Sequence, residues 1–203
     1  MKCFRCGEWD GERCSCKDGQ TIFHGDCREI LPELPKVDLV LTDPPYPDYH
    51  VEEYGYSEDL MAFMDWNCRQ FVFWSSRCDF PARWSARHVW DKRKGGAGSA
   101  YEFIYELNGK REQWVFNYVS IQNPVRANFS NEEYTKHKSQ KPVRLCVRLL
   151  ELSKDSGIIL DPFLGSGTTL RACKDLGRRG IGIEIEEKYC EIAAERLRQG
   201  VLY

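Results

Sequence analysis

The sequence predicts an α/β fold built on a mostly parallel sheet. Three observations predict it. An apolar run over residues 37–41, broken only by Asp38, ends in Asp43-Pro44-Pro45-Tyr46. A second run, Ile158-Ile159-Leu160, leads into Asp161-Pro162-Phe163-Leu164-Gly165-Ser166-Gly167-Thr168-Thr169 and then a helical stretch; Ile181-Gly182-Ile183-Glu184-Ile185 follows as another apolar run. The helices over 168–176 and 187–199 each stop at a glycine, Gly177 and Gly200, the residue that helix C-caps favour. Apolar strands alternating with helices are strands buried on both faces. In open sheets of this kind, ligands gather at the carboxyl ends of the strands. Both Asp-Pro motifs fall there.

The chain has 203 residues, 42% hydrophobic and 13% aromatic. That is one domain with a real core and room for a small appendage. No run approaches the roughly 20 apolar residues of a membrane span. The charged, cysteine-rich start is no signal peptide, so a cytoplasmic location is expected. The net charge of −2 hides a segregation. Residues 1–76 hold 7 Lys/Arg against 15 Asp/Glu, residues 77–148 hold 14 against 7, and residues 149–203 hold 8 against 9. A basic middle third suits a phosphate backbone; an ordinary solvated surface has the same composition.

Taken in order, the chain opens with Cys3-x-x-Cys6 and Cys14-x-Cys16. Four cysteines at this spacing, with glycines in the turns, suit a tetrahedral Zn(Cys)₄ site; the alternative is a leader of reduced, unliganded thiols. The other six cysteines are expected to be small buried apolar residues. Residues 21–27 form a strand ending in Gly25-Asp26, and Asp26 can cap a helix over 28–34. His24 is expected to be structural. After Tyr46, residues 47–59 form a loop whose Tyr49, Tyr54 and Tyr56 can stack on bases or pack the loop itself. A helix over 60–67, strands over 71–74, 88–92 and 101–107, and a glycine loop at 95–98 follow. Pro142 opens a helix with Leu145, Leu149 and Leu152 on one side.

The tetrapeptide has a chemical logic. Proline fixes φ, lacks an N–H and holds the preceding residue extended, so the carbonyl directions are set. Asp43 adds an acceptor-only carboxylate, and Tyr46 adds a flat face. Two acceptors and a stacking plate suit an exocyclic amine on a planar base. Holding both amine hydrogens draws the nitrogen toward a tetrahedral geometry and frees its lone pair for an incoming methyl group. In the second motif, glycines admit a ligand close to the backbone, and the helix start offers unpaired N–H groups. Glu184, 23 positions after Asp161, stands where an acidic residue holds ribose hydroxyls. Leu170 occupies the place of the third glycine of a dinucleotide fingerprint, which disfavours NAD.

Together the motifs resemble the S-adenosylmethionine-dependent DNA amino-methyltransferases, which make N6-methyladenine or N4-methylcytosine. With Asp43-Pro44-Pro45-Tyr46 first and Asp161 to Thr169 second, the order is similar to that of the bacterial and phage-type β class. The resemblance spans about residues 20–197. It implies a Rossmann-like methyltransferase fold with seven strands and a permuted motif order. It implies S-adenosylmethionine as cofactor, no catalytic metal, and DNA as partner. Asp43, Pro44, Pro45 and Tyr46 become the catalytic residues. Asp161, Phe163, Gly165, Ser166, Gly167, Thr168 and Glu184 become cofactor residues, with Asp26 on the cofactor adenine and Lys141 near its methionine end. The domains expected are a leader over 1–19 and a methyltransferase domain over 20–203. The latter divides into a catalytic half over 20–117, a recognition segment over 118–136 and a cofactor half over 137–203. That recognition segment is short for the family, so the expectation is either a short recognition site or specificity supplied by the leader, the 47–59 loop or a second subunit of a homodimer. A restriction endonuclease partner would be a separate protein. The family's preference for Asp over Ser in the tetrapeptide points to N6 of adenine. The rivals are N4 of cytosine, an RNA or protein-amide substrate, and a catalytically silent DNA-binding subunit.

Overall fold

A computed structural model of the chain describes residues 1–47, 66–93, 99–121, 124–130, 132, 134–135, 137, 139–153 and 157–200. The elements run β1 (Gln20–His24), α1 (Cys27–Ile30) with a 3-10 turn (Leu31–Glu33), β2 (Leu39–Thr42), β3 (Arg69–Trp74), β4 (Ala86–Asp91), β5 (Tyr101–Leu107) and β6 (Val115–Asn117). They continue with α2 (Pro124–Ser130), α3 (Val143–Glu151), β7 (Ile158–Asp161), α4 (Thr168–Asp175), β8 (Arg179–Glu184) and α5 (Glu187–Arg198).

The strands form one sheet in the order β1-β8-β7-β2-β3-β5-β4-β6. Only the β3–β5 and β4–β5 pairings are antiparallel. Alternation along the strands divides the core. Leu39, Leu41, Phe71 and Phe73 face α3 and α4 on one side. Val40, Leu160, Ile181 and Ile183 pack toward α1 on the other. In α3, Val143, Leu145, Cys146, Leu149 and Leu150 are buried; burying each leucine contributes about 1.5–3 kcal/mol. No helix among the described residues is long and apolar enough to cross a membrane.

The sheet has one strand more than the seven expected. The extra strand, β6, pairs with β4 from Val89↔Val115 to Asp91↔Asn117, and its three residues are too few to show a period of two. The helix expected over 28–34 is a single α turn followed by the 3-10 turn, because Pro32 lacks the N–H that would continue the α pattern. Gly177 (φ +63°) ends α4 as expected. Gly200 does not cap α5: the chain turns extended at Gln199, and the Gly200 carbonyl accepts from Arg171 Nη2 at 2.5 Å. Of the other six cysteines, Cys68 and Cys78 are only half-buried. The loop tyrosines Tyr49, Tyr54 and Tyr56 and the glycine run 95–98 lie outside the described residues. So does the helix expected over 60–67, except Trp66 and Asn67, which are not helical.

The leader lies along β1, the edge of the sheet. Phe4 N donates to the Ile22 carbonyl (2.7 Å). Arg5 makes a bidentate pair with Asp18 (2.7 and 2.8 Å) and donates to the Gln20 carbonyl. Trp9 sits edge-on to Phe23 at 5.0 Å. An edge strand covered in this way has fewer open backbone groups to pair with another chain.

Candidate active site

Strands β7 and β2 are neighbours, yet β7 leads through α4 to β8 on one side while β2 is followed by β3 on the other. This is a topological switch point, where a crevice opens beyond the carboxyl ends of the strands. A cavity of about 350 Å³ lies there. Its wall includes Asp43, Pro44, Pro45 and Tyr46 from the end of β2. The same wall holds Asp26, Lys141, Asp161, Phe163, Gly165, Ser166, Thr168 and Glu184. Two motifs more than a hundred residues apart in sequence thus share one space. Gly167 is the predicted cofactor residue that is not in the wall. It is the N-cap of α4 at φ +80°, and a Cβ there would stand 2.7 Å from that of Ala193. Its lack of a side chain lets α4 and α5 approach.

The seam between β7 and β2 is polar. Thr42 Oγ1 donates to Asp161 Oδ1 (2.8 Å), and Phe163 N donates to the same oxygen (3.1 Å). Burial pushes the Asp161 carboxyl up to about 6, against the pull of these donors. Beyond it, Glu184 Oε2 accepts from Gly165 N (2.7 Å) and Oε1 from Glu186 N (2.9 Å); burial again raises its pKa. Gly165 has φ +52°, and a Cβ on it would meet His137 Nε2 at 3.1 Å. His137 stacks edge-on against Tyr189 at 4.6 Å. Burial, helped by Lys141, Arg196 and Lys188, holds it down at about 4, so it is neutral at pH 7. Asp26 caps α1 through Arg28 N (2.8 Å) and binds the Arg28 guanidinium. It therefore fills the capping role and also faces the cavity.

Both oxygens of Asp43 are engaged. Its Oδ1 accepts from the Tyr46 hydroxyl and its Oδ2 from the Lys141 ammonium. Burial pushes the Asp43 carboxyl up and the Lys141 charge pulls it back. For Lys141, burial alone would lower the pKa, but Asp43 and Glu102 together raise it. Glu102 on β5 lies 3.6 Å from Lys141 and 2.5 Å from Lys92. The Lys141 ammonium stands 5.2 Å from the Phe73 ring centroid and 6.0 Å from that of Tyr46. Tyr46 is itself buried, edge-on to Trp74.

Thr42 in the wall, and Glu102, Lys92 and Arg196 behind it, were not anticipated from the sequence. Arg196 Nη1 donates to Thr168 Oγ1 (2.9 Å) and to the Ser166 carbonyl (3.3 Å), bracing the glycine loop from α5. The one available signal was on β5. There Glu102, Ile104 and Glu106 share a face, and a carboxylate on the covered face of a strand needs a partner. His24 is exposed, with Nε2 on the Ile185 carbonyl (3.1 Å), a structural contact as expected.

The sulfurs of Cys3, Cys6, Cys14 and Cys16 all lie within 4.8 Å of one another, away from this cavity. Sulfurs arranged tetrahedrally around zinc at about 2.3 Å are roughly 3.8 Å apart, and Cys3 and Cys16 are 3.9 Å apart. All four thiols are free of disulfides.

The sheet order, the glycine loop entering α4 and the Asp-Pro-Pro-Tyr corner facing it define a methyltransferase of Rossmann-like fold. Residues 59–195 match the DNA methylase family N6_N4_Mtase. The Streptomyces caespitosus type II methyltransferase M.ScaI is 46% identical over 87% of this chain and 80% of its own length. The Escherichia coli DNA adenine methyltransferase YhdJ is 28% identical over 89% and 83%. M.HpaI of Haemophilus parainfluenzae is 42% identical over 48% of this chain, which spans only 29% of that relative's length. Among solved structures, the M1.HpyAVI–SAM complex superposes with a TM-score of 0.60 at 26% identity, covering 87% of this chain and 99% of that one. The cytosine-N4-specific PvuII methyltransferase superposes at 0.64 over 97% and 92%, but at 16% identity, a likeness of fold alone. The chain belongs to the N6/N4 class of S-adenosylmethionine-dependent DNA amino-methyltransferases.

Proposed function

We propose that this protein transfers a methyl group from S-adenosylmethionine to N6 of adenine in DNA. The observation that carries this reading is that Asp43 and Tyr46 line the same cavity as Gly165 and Glu184. Glu184 would hold the cofactor's ribose hydroxyls and Asp26 its adenine amine. Asp161, Phe163, Gly165, Ser166 and Thr168 would line its path, with Gly167 shaping the loop and Lys141 beside the reacting end. The cradle fits such a group: Gly165 leaves open the space that a side chain would fill. Bound S-adenosylmethionine supplies an electrophilic methyl group.

The target base is taken out of the stack. Asp43 and the Pro44 carbonyl accept its two amine hydrogens, Pro45 fixes the turn, and Tyr46 faces the ring. Asp rather than Ser at the head of the tetrapeptide favours adenine, and so does the similarity to YhdJ, a DNA adenine methyltransferase. Cytosine N4 is the second reading, supported by the fold shared with the PvuII enzyme. Nucleoside mass spectrometry of unmethylated DNA after incubation with the protein and cofactor distinguishes the two. Asp43→Ala is expected to lower transfer by about 10²–10³-fold with cofactor binding unchanged. Full transfer by that variant would overturn the mechanism.

We also propose the division into a leader over 1–19 and a methyltransferase domain over 20–203, and a structural zinc held by Cys3, Cys6, Cys14 and Cys16. The alignment with YhdJ runs over 248 positions, longer than the 203 of this chain. The relative therefore carries segments absent here, in keeping with a short recognition segment. DNA in the cytoplasm is the proposed partner. A second copy of the chain and a separate restriction endonuclease are further proposed partners.

A further inference from the structure

We propose that Lys141 holds the place of the target amine in the base-free enzyme, and that Glu102 is the positioning residue that receives Lys141 when the base enters. The inference rests on the reading of Asp43 as the amine acceptor.

The Lys141 ammonium is an N–H donor on Asp43 Oδ2, flanked by the rings of Phe73 and Tyr46. An exocyclic amine on a planar base needs the same acceptor and the same aromatic wall. Asp43 Oδ1 is also engaged, by the Tyr46 hydroxyl. An amine reaching Asp43 therefore meets an ammonium already seated there. Glu102 offers that ammonium somewhere to go. Its Oε1 pairs with Lys92, while its Oε2 is buried and has no hydrogen-bond partner among the described residues. That oxygen lies 3.6 Å from Lys141 Nζ, inside ion-pair range and outside hydrogen-bond range. A lysine side chain covers the remaining distance by rotamer changes alone. Moving Lys141 toward Glu102 leaves the displaced ammonium beside a carboxylate, while Asp43 keeps the Tyr46 hydroxyl and takes the amine's hydrogens. An unpaired buried charge, the alternative, is strongly unfavourable. The move also hands Asp43 to the amine at the moment the reaction needs it.

The test is a double-mutant cycle read by single-turnover methyl incorporation into unmethylated genomic DNA, with cofactor binding measured by calorimetry. Glu102→Gln is expected to slow transfer by about 10–100-fold, the effect of losing a charged hydrogen-bond partner. Cofactor affinity should stay within about 2-fold. With Lys141→Met in place there is no ammonium to relocate, and the same Glu102→Gln change should matter by less than about 2-fold. An equal loss in both backgrounds would assign Glu102 to bracing the sheet and overturn the proposal. So would no loss beside the native lysine. Should Lys141→Met abolish turnover by itself, the pH profile of Glu102→Gln decides. Asp43 is faced by Lys141, Glu102, Tyr46 and Asp161. Removing the Glu102 charge and confining Lys141 to Asp43 moves the acid limb to lower pH, and an unmoved limb overturns the proposal. Asp43→Ala separates the two layers. Full activity there ends the amine-acceptor reading and this inference together. An inactive Asp43→Ala beside a wild-type Glu102→Gln ends the inference alone.

Discussion

Replacing Asp161 with asparagine is expected to stabilise the cofactor-free protein at neutral pH and to leave it nearly unchanged at pH 4. The side chain is 4% exposed. Burial lifts its pKa from 3.8 to about 6, although the Thr169 and Thr42 hydroxyls and the Phe163 N–H resist. The unfolded chain releases this proton near pH 4 and the folded chain near pH 6. Between those values the folded state binds more protons, so stability falls as pH rises through the window. Two units correspond to about 3 kcal/mol lost by pH 8. Asparagine keeps an oxygen for Thr42 and Phe163 and carries no charge, but its amide N–H groups add donors to satisfy. The net gain at pH 8 is therefore about 1–3 kcal/mol. Urea melts of both proteins from pH 4 to 8 measure it, since the other titrating groups are common to both. A difference that does not change with pH, or an asparagine variant less stable at pH 8, would refute the reasoning. The same variant is expected to bind S-adenosylmethionine more weakly by calorimetry, because the destabilising carboxylate faces the cavity. Stability given up at a functional wall is a common trade.

Two further predictions concern packing and metal. Gly167→Ala combines positive φ with a Cβ 2.7 Å from that of Ala193 and should cost about 2–4 kcal/mol. Gly177→Ala, at φ +63° with open space around it, should cost only about 1–2 kcal/mol; equal losses in urea melts would contradict the packing argument. Protein expressed with ample zinc should carry one ion per chain by mass spectrometry. Its removal by a chelator should lower Tm by more than about 5 °C, because the leader is tied to β1 through Phe4, Arg5 and Trp9; metal-free protein from zinc-rich medium would end the zinc reading.

Much of the fold was legible because its signals are local. The strands ending at Thr42, Asp161 and Glu184 announced themselves as apolar runs closed by acidic or proline-bearing turns. Tyr101–Leu107 matched its expected bounds. β6 was hidden because it exists only through pairing with β4, a tertiary fact with no period of its own. Gly200 misled for a related reason: a glycine after a helix permits a left-handed cap but does not require one, and here its carbonyl is held by Arg171, 29 residues away.

The site divides in the same way. Backbone-shaped features, the two Asp-Pro corners and the glycine loop, were visible in sequence. The charge network was not, because Lys141 meets an aspartate 98 positions earlier and a glutamate from a third element. Charge counting misplaced these groups as well. The basic middle third suggested a phosphate-facing surface, yet Lys92 and Lys141 are buried in ion pairs beside the cavity. Among the described residues, the exposed cations of that stretch are instead Arg77, Arg83, Arg87, Arg93, Lys110, Arg111 and Arg144. Arg77 follows β3 and Arg144 lies on α3, while the others sit on or beside β4 and β5, with Arg87 over the Phe103 ring at 4.6 Å. Any electrostatic contribution to DNA binding from the described part of this third would come from those exposed side chains. The two lysines that composition counted alongside them are instead taken up by Glu102 and Asp43.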